Sequence, residues 1–232
     1  MLRNPSRLHR TAAGLALIAA PLMSLIADIL SVGWADDTAE YVSEVAGNPG
    51  AQAWSGVFYV IGFTLIVPGV IGIVHLIRGR GTTLAHIGGG LAVIGLGAFP
   101  ALAVTSVFDA AAVESIGQAD YVALLDGLED QAAAIVLLVI ILVPALLSLL
   151  IIGAAVWRSG LAPWWAALAL IVSGLMLAAS GSSQVLNIVS DIFLLVGLGY
   201  LGLRMLRMTD AEWDRPPERW NHATPSPQSG DL

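Results

Sequence analysis

Residues 161–203 read LAPWWAALALIVSGLMLAASGSSQVLNIVSDIFLLVGLGYLGL, 43 positions in which Asp191 is the one formally charged side chain. A hydrocarbon core of about 30 Å takes roughly 20 apolar residues per helix, so this stretch is twice too long for one span. Gly181-Ser182-Ser183-Gln184 near its middle supplies a turn. The stretch therefore reads as a tight hairpin of two transmembrane helices, and the rest of the chain divides in the same way. Apolar segments fall at approximately residues 12–33, 54–77, 83–108, 132–157, 162–181 and 185–206, and segments two to five hold no Asp, Glu, Lys or Arg. Composition agrees: 57% of the 232 residues are hydrophobic and 12% charged, far from the proportions of a soluble domain. The predicted fold is all-α, a polytopic transmembrane bundle of six helices occupying residues 1–208, followed by a polar tail at 209–232.

The basic residues orient this bundle. Arg3, Arg7 and Arg10 precede the first segment, Arg78 and Arg80 separate the second and third, Arg158 separates the fourth and fifth, and Arg204, Arg207, Arg215 and Arg219 close or follow the sixth. The loops between carry no Lys or Arg. Basic residues near helix ends are retained on the cytoplasmic side, so both termini are expected in the cytoplasm. Acidic residues partition the other way, with Asp36, Asp37, Glu40 and Glu44 in the first outer loop and Asp109, Glu114, Asp120, Asp126, Glu129 and Asp130 in or beside the second. The net charge of −7 is mostly this asymmetry and gives no reason to expect a nucleic-acid partner.

The chain has no cysteine, which removes disulfides and thiolate metal sites. Three arginines precede the first segment as in a signal peptide, but its apolar run is longer than a usual signal core and no small-x-small site follows, so it is expected to remain as a helix. Pro216, Pro217, Pro225 and Pro227 mark a tail whose last dozen residues are expected to be disordered.

Pro21, Pro68, Pro100 and Pro144 fall inside the first four segments and each removes one backbone hydrogen bond. Glycines crowd the third segment (Gly88, Gly89, Gly90, Gly95, Gly97) and the sixth (Gly197, Gly199, Gly202). Small residues let helices approach closely where lipid removes any hydrophobic drive, so the third helix is expected to be the most central. Leu65-Ile66-Val67-Pro68 and Ile141-Leu142-Val143-Pro144 are alike, each leading toward an arginine, but the spacings differ and need a gap. That pattern is shared hairpin architecture and not the inverted repeat of a transporter.

Gly153-Ala154-Ala155-Val156-Trp157-Arg158-Ser159-Gly160, followed by Pro163-Trp164, resembles an element of many uncharacterised multi-pass membrane proteins of GC-rich bacteria. There a small-residue helix end runs into Trp-Arg-Ser-Gly and a Pro-Arg-Trp opens the next helix. This chain departs in lacking that second arginine, having Pro163-Trp164-Trp165 directly. The resemblance implies a bacterial cytoplasmic membrane and brings no activity, because those relatives have none assigned. Physically the element is an anchor: Arg158 stays at the headgroups, Pro163 suits a first helical turn, and Trp157, Trp164 and Trp165 suit the interface.

Asp28 and Asp191 are the acidic residues buried in apolar segments, and an intramembrane carboxyl is costly enough to raise a functional hypothesis. Each lies about six residues, roughly 9 Å, below the outer boundary at 1.5 Å per residue. Ser24, Asp28 and Ser31 form one polar stripe, and Gln184, Asn187 and Asp191 form another. Two stripes at one depth predict a polar cavity opening outward between the first and last helices, with Ser24 and Asn187 sharing the hydrogen bonds of the acids. Two carboxyls without a basic partner do not both ionise cheaply, so one is expected to hold a proton. That suits proton exchange, a cation or an amine-bearing ligand; the structural alternative is a neutral pair that glues the first helix to the last.

His75 and His86 flank Arg78-Gly79-Arg80-Gly81 and are the weak metal candidates, with no further ligand in view at that depth. No metal or cofactor is otherwise implied. Tyr121, Leu124, Leu125 and Leu128, spaced helically between Asp120 and Asp130, predict a short amphipathic helix at the outer surface. No nucleotide loop or nucleophile constellation is present. The function classes left are a small transporter or permease-like protein, an accessory or scaffold subunit of a membrane complex, and a lipid-modifying enzyme that uses the aspartate pair. The expected partners are membrane lipids, together with a protein partner or a second copy of the chain.

Overall fold

The computed structural model describes residues 5–129 and 131–214. Arg3, Asp130, Arg215, Arg219, His222 and the part of the tail expected to be disordered lie outside the described residues. Within them the chain is helical, with no strand.

α1 (Pro5–Leu30) leads through a short extended segment to α2 (Thr38–Gly47), and α3 (Pro49–Leu76) returns in the opposite direction. α4 (Thr82–Ala103) runs almost directly into α5 (Thr105–Ile116), α6 (Gln118–Glu129) follows, and α7 (Ala132–Ser159), α8 (Trp164–Ser180), α9 (Gln184–Arg207) and α10 (Asp210–Trp213) complete the order. Five stretches are long and apolar enough to cross a membrane: α1, α3, the α4–α5 run, α7 and α9. α8 is equally apolar but only 17 residues long.

Local chemistry sets the boundaries. The Asn48 side chain accepts from Ala51 N at 3.2 Å and Pro49 opens α3, where its missing N–H is no loss. Asp37 caps α2 by accepting from Glu40 N at 3.0 Å. α7 stops at Gly160, whose φ of +65° is the left-handed conformation that ends helices. Pro163 stands as the N-cap of α8, and Trp157 and Trp164 are exposed beside it.

α1 packs on α3, α3 on α4, α4 on α7, α7 on α8, α8 on α9, and α9 back on α1. Six helices thus close a ring, and none occupies its middle. The glycine-rich third segment, now α4, is one member of that ring and not a central helix: Gly88 and Gly95 face α7, Gly89 faces Val74 of α3, and Gly90 and Gly97 have more open surroundings. Closure comes from α1 and α9, where a Cβ on Gly202 would lie 2.6 Å from the Gly14 carbonyl oxygen. Toward the arginine-bearing ends the ring is filled by Leu17, Ile73, Ile152, Leu170, Leu198, Leu201 and Met205.

The other, acidic end is broader than the sequence suggests. The third apolar segment, expected to end near residue 108, breaks at Val104, four residues after Pro100, and continues as α5. The amphipathic segment after Asp120 is helical as α6 and packs with α2 and α5 around Val42, Val45, Val113 and Tyr121. α10, at the arginine end, falls within the segment read as polar tail. Its Trp213 is buried against the core and Asp210 is 3.0 Å from Arg10.

Candidate functional site

α1 and α9 run antiparallel, and this decides how two acids from opposite ends of the chain meet. Asp28 lies in the last turn of α1, whereas Asp191 lies seven residues, roughly 10 Å, along α9. Side chains lean toward the N-terminus of their own helix. Asp28 therefore leans into the bundle and Asp191 leans back toward the acidic end, and the two carboxyls lie beside one another. A hydrogen bond between two carboxyl groups requires a proton on one of them, since an ionised carboxylate only accepts.

Ser24, one turn before Asp28, lies beside Asp191, and the Tyr59 hydroxyl of α3 donates to Asp28 Oδ1. Ser24 and Asp28 are buried. Asp191 Oδ2 is buried too and has no hydrogen-bond partner among the described residues.

The other members of the predicted stripes do different work. Gln184 Nε2 donates to the main-chain carbonyls of Asp28 at 2.9 Å and Ser31 at 3.2 Å, so it caps the end of α1 from across the ring. Asn187 does not bond to either acid. Its Oδ1 accepts from Ser180 Oγ at 3.1 Å and its Nδ2 donates to the Ser183 carbonyl at 3.1 Å, which ties the α8–α9 turn. Below it, Ser190 Oγ donates to the Ser173 carbonyl at 2.9 Å. His75 and His86 engage separate partners: His75 Nε2 is 3.1 Å from the Trp213 carbonyl and His86 Nδ1 2.8 Å from the Thr82 carbonyl. Among the described residues no cluster of three His, Cys, Asp or Glu could hold a metal ion.

The carboxyl pair lies on the wall of a cavity of about 470 Å³ at the centre of the ring. Ser24, Tyr59, Ser106, Ser173, Ser180, Asn187 and Ser190 add polar groups to it, and the rest of the wall is largely apolar. Tyr59, Phe63 and Phe99 form an aromatic run along one side, with Tyr59–Phe63 ring centroids 5.9 Å apart and Phe63–Phe99 4.3 Å apart. Trp34, Ser106 and Gly181 line it toward the acidic end.

A second polar cluster lies above this cavity. Tyr41 Oη and Tyr121 Oη each donate to Asp109 at 2.5 Å, one to each carboxyl oxygen. Burial first, and then the negative charge of Asp109, push the Tyr41 hydroxyl far above its ordinary pKa. Tyr121 shifts the same way, through burial and its bond to Asp109. Gln52 joins the two levels, accepting from Ser31 Oγ at 3.3 Å and Val32 N at 3.2 Å while its Nε2 lies 3.5 Å from Tyr41 Oη. Glu44 fixes the segment after α1 by accepting from Trp34 N at 2.8 Å and Ala35 N at 3.2 Å.

Tyr59 and Gln52 were not among the residues singled out in the sequence, and Asp109 was read only as one of the acids of the second outer loop. Gln52, Ser55 and Tyr59 are spaced three and four apart, the same stripe that exposed the other two helices, so α3 carried a usable signal. Asp109 carried none, because its two tyrosines come from α2 and α6, remote in sequence.

A ring of apolar helices, five stretches of it long and apolar enough to cross a membrane, defines an integral membrane protein. The chain belongs to the family described as a domain of unknown function, DUF4386, whose model matches residues 12–205. No match was found among curated proteins or solved structures.

Proposed function

We propose that the protein is a six-span permease-like transporter of the bacterial cytoplasmic membrane, with both termini in the cytoplasm and the cavity loaded from the outer face. Residues 1–208 form its membrane domain and 209–232 its cytoplasmic tail. α8 is the fifth and shortest of the six spans, with Trp164 and Trp165 anchoring one end at the interface. The arginines of the loops and tail set the orientation, which makes the acidic end the outer one.

The observation that carries the reading is the Asp28–Asp191 pair on the wall of the central cavity. A pair needed only as glue could be buried in a packed interface. Here it borders a space of about 470 Å³, within the range of roughly 300–1,000 Å³ of small-molecule sites. Reconstitution in liposomes enclosing a pH-sensitive dye tests it. Solute-dependent proton flux is expected from the native chain and should vanish in Asp28→Asn and Asp191→Asn, which keep hydrogen bonding and remove titration. Absence of flux with organic cations, metal cations and neutral solutes alike would overturn the transport reading.

One observation favours the accessory-subunit reading. Ile135, Val136, Leu137, Leu138, Val139 and Ile140 of α7 are all exposed, so this half of the helix stands clear of the bundle. A partner retained through mild-detergent purification and lost on substituting that face would support an accessory role.

A further inference from the structure

The cavity wall restricts what can occupy it. Its titratable groups are Asp28 from α1, Tyr59 from α3 and Asp191 from α9; α4, α5, α7 and α8 contribute none. No basic side chain lines it, so an anion would meet carboxyls and nothing to neutralise it. A hard divalent cation needs six or more oxygen ligands, or water in their place, and most of this wall is Leu, Ile, Ala and Phe. A sugar would leave its hydroxyls facing the same apolar side chains.

Two features remain to be matched. Asp191 Oδ2 is buried with no donor from the described residues beyond the facing Asp28 carboxyl, so once the shared proton leaves, a complementary ligand brings an N–H or O–H to it. The Tyr59–Phe63–Phe99 run begins at the acids and leads away from them, and aromatic faces suit both a cation and the apolar body attached to it.

We propose that the cavity binds a primary or secondary organic amine in its ammonium form, with an aryl or alkyl body along Phe63 and Phe99, and that binding displaces the proton held between Asp28 and Asp191. The inference rests on the permease reading for its consequence, exchange of one amine for one proton. In the empty site a carboxyl O–H spans the pair. On binding, that O–H bond breaks, the proton leaves to solvent, and N–H groups of the ammonium replace it as donors to two carboxylates. The pair changes from one negative charge to two while the ligand brings one positive charge, and no electrons are transferred. A quaternary ammonium has the charge and lacks the N–H, so it leaves Asp191 Oδ2 unsatisfied.

The test is calorimetric titration of the full chain in detergent with 2-phenylethylamine, repeated in two buffers of different ionisation enthalpy. The expected result is saturable binding with release of one proton per amine. Affinity should fall about tenfold per pH unit on acidification, as linkage to one proton requires. 2-Phenylethanol and (2-phenylethyl)trimethylammonium should bind at least tenfold more weakly. Equal binding of either analogue, amine binding without proton release, or no amine binding at millimolar concentration would each overturn the proposal, and none of these needs a variant that folds. Asp191→Asn should lose at least tenfold in affinity along with the proton release. Liposome flux separates this from the permease reading. Amine binding with proton release but no flux removes transport and leaves the site standing, whereas flux of other solutes without amine binding keeps transport and removes the amine.

Discussion

The side-chain amide of Gln184, the first residue of α9, donates 2.9 Å to the main-chain carbonyl of Asp28 near the end of α1. The same amide reaches the Ser31 carbonyl at 3.2 Å. The last four carbonyls of any helix lack intrahelical partners, and here a side chain more than 150 residues away satisfies two acceptors at the end of α1. The contact also sets how far α9 is slid along α1, and that slide brings Asp191 level with the Asp28 carboxyl.

Gln184→Ala is expected to destabilise the bundle by about 1–2 kcal/mol, the net worth of two such bonds. Gln184→Glu should be worse, because it places a carboxylate against the negative end of a helix. Unfolding in detergent by heat or sodium dodecyl sulfate measures both. A Glu variant as stable as the native chain would show that Gln184 does not cap α1.

The Asp109 cluster predicts alkaline sensitivity. The folded-state pKa values of Tyr41 and Tyr121 lie above the ordinary value, so above about pH 10 the folded chain holds protons that the unfolded chain releases. Their contribution is fully present below pH 10 and is lost as pH rises through the folded values. Tyr41→Phe removes a donor to a charged group, at a cost of about 1.5–3 kcal/mol, and should flatten the decline. Tyr121 is buried and donates to the other carboxyl oxygen of Asp109, so Tyr121→Phe should act in the same direction. Unfolding midpoints between pH 8 and 11.5 provide the check, and a decline unchanged in Tyr41→Phe would assign the alkaline loss elsewhere.

The apolar segments and the carboxyl stripes were legible because both follow from periodicities of 3.6 residues and spans of about 20. Position along the bundle was less so. Asn187 shares a stripe with Asp191, yet it turns to Ser180 and Ser183, because a residue so close to a tight turn is claimed by the backbone of that turn. The spread of α2, α5 and α6 over the acidic end was only partly visible. Leu124, Leu125 and Leu128 announced α6, whereas α5 follows from a break after Pro100 within an uninterrupted apolar run. α4 held the densest glycines but no centre, since glycine content reports close approach and not how many neighbours approach.

Orientation is open to direct measurement. The chain has no cysteine, so single cysteines can be introduced on a clean background. Asp36→Cys and Asp120→Cys, both exposed at the acidic end, should react with a membrane-impermeant maleimide on intact cells. Arg80→Cys and Arg158→Cys, exposed at the arginine end, should react only after permeabilisation. The reverse pattern would place the cavity mouth toward the cytoplasm and overturn outward loading.

At the arginine end, α10 is held by a few contacts that one substitution should release. The Trp213 carbonyl accepts from Arg78 Nη2 at 2.8 Å, and His75 Nε2 lies 3.1 Å from it. The indole packs against the His75 ring with centroids 4.6 Å apart, and Asp210 pairs with Arg10 at 3.0 Å. Truncating a core tryptophan costs about 3–5 kcal/mol; that is a ceiling for Trp213→Ala, because a four-residue helix can detach without unfolding the ring. The expected outcome is therefore local: amide exchange at Asp210–Trp213 should accelerate to the rate of an open chain, while α1 and α9 keep their protection. Arg10→Ala should give a weaker form of the same effect. Loss of protection along α1 in Trp213→Ala would instead make α10 a structural part of the bundle.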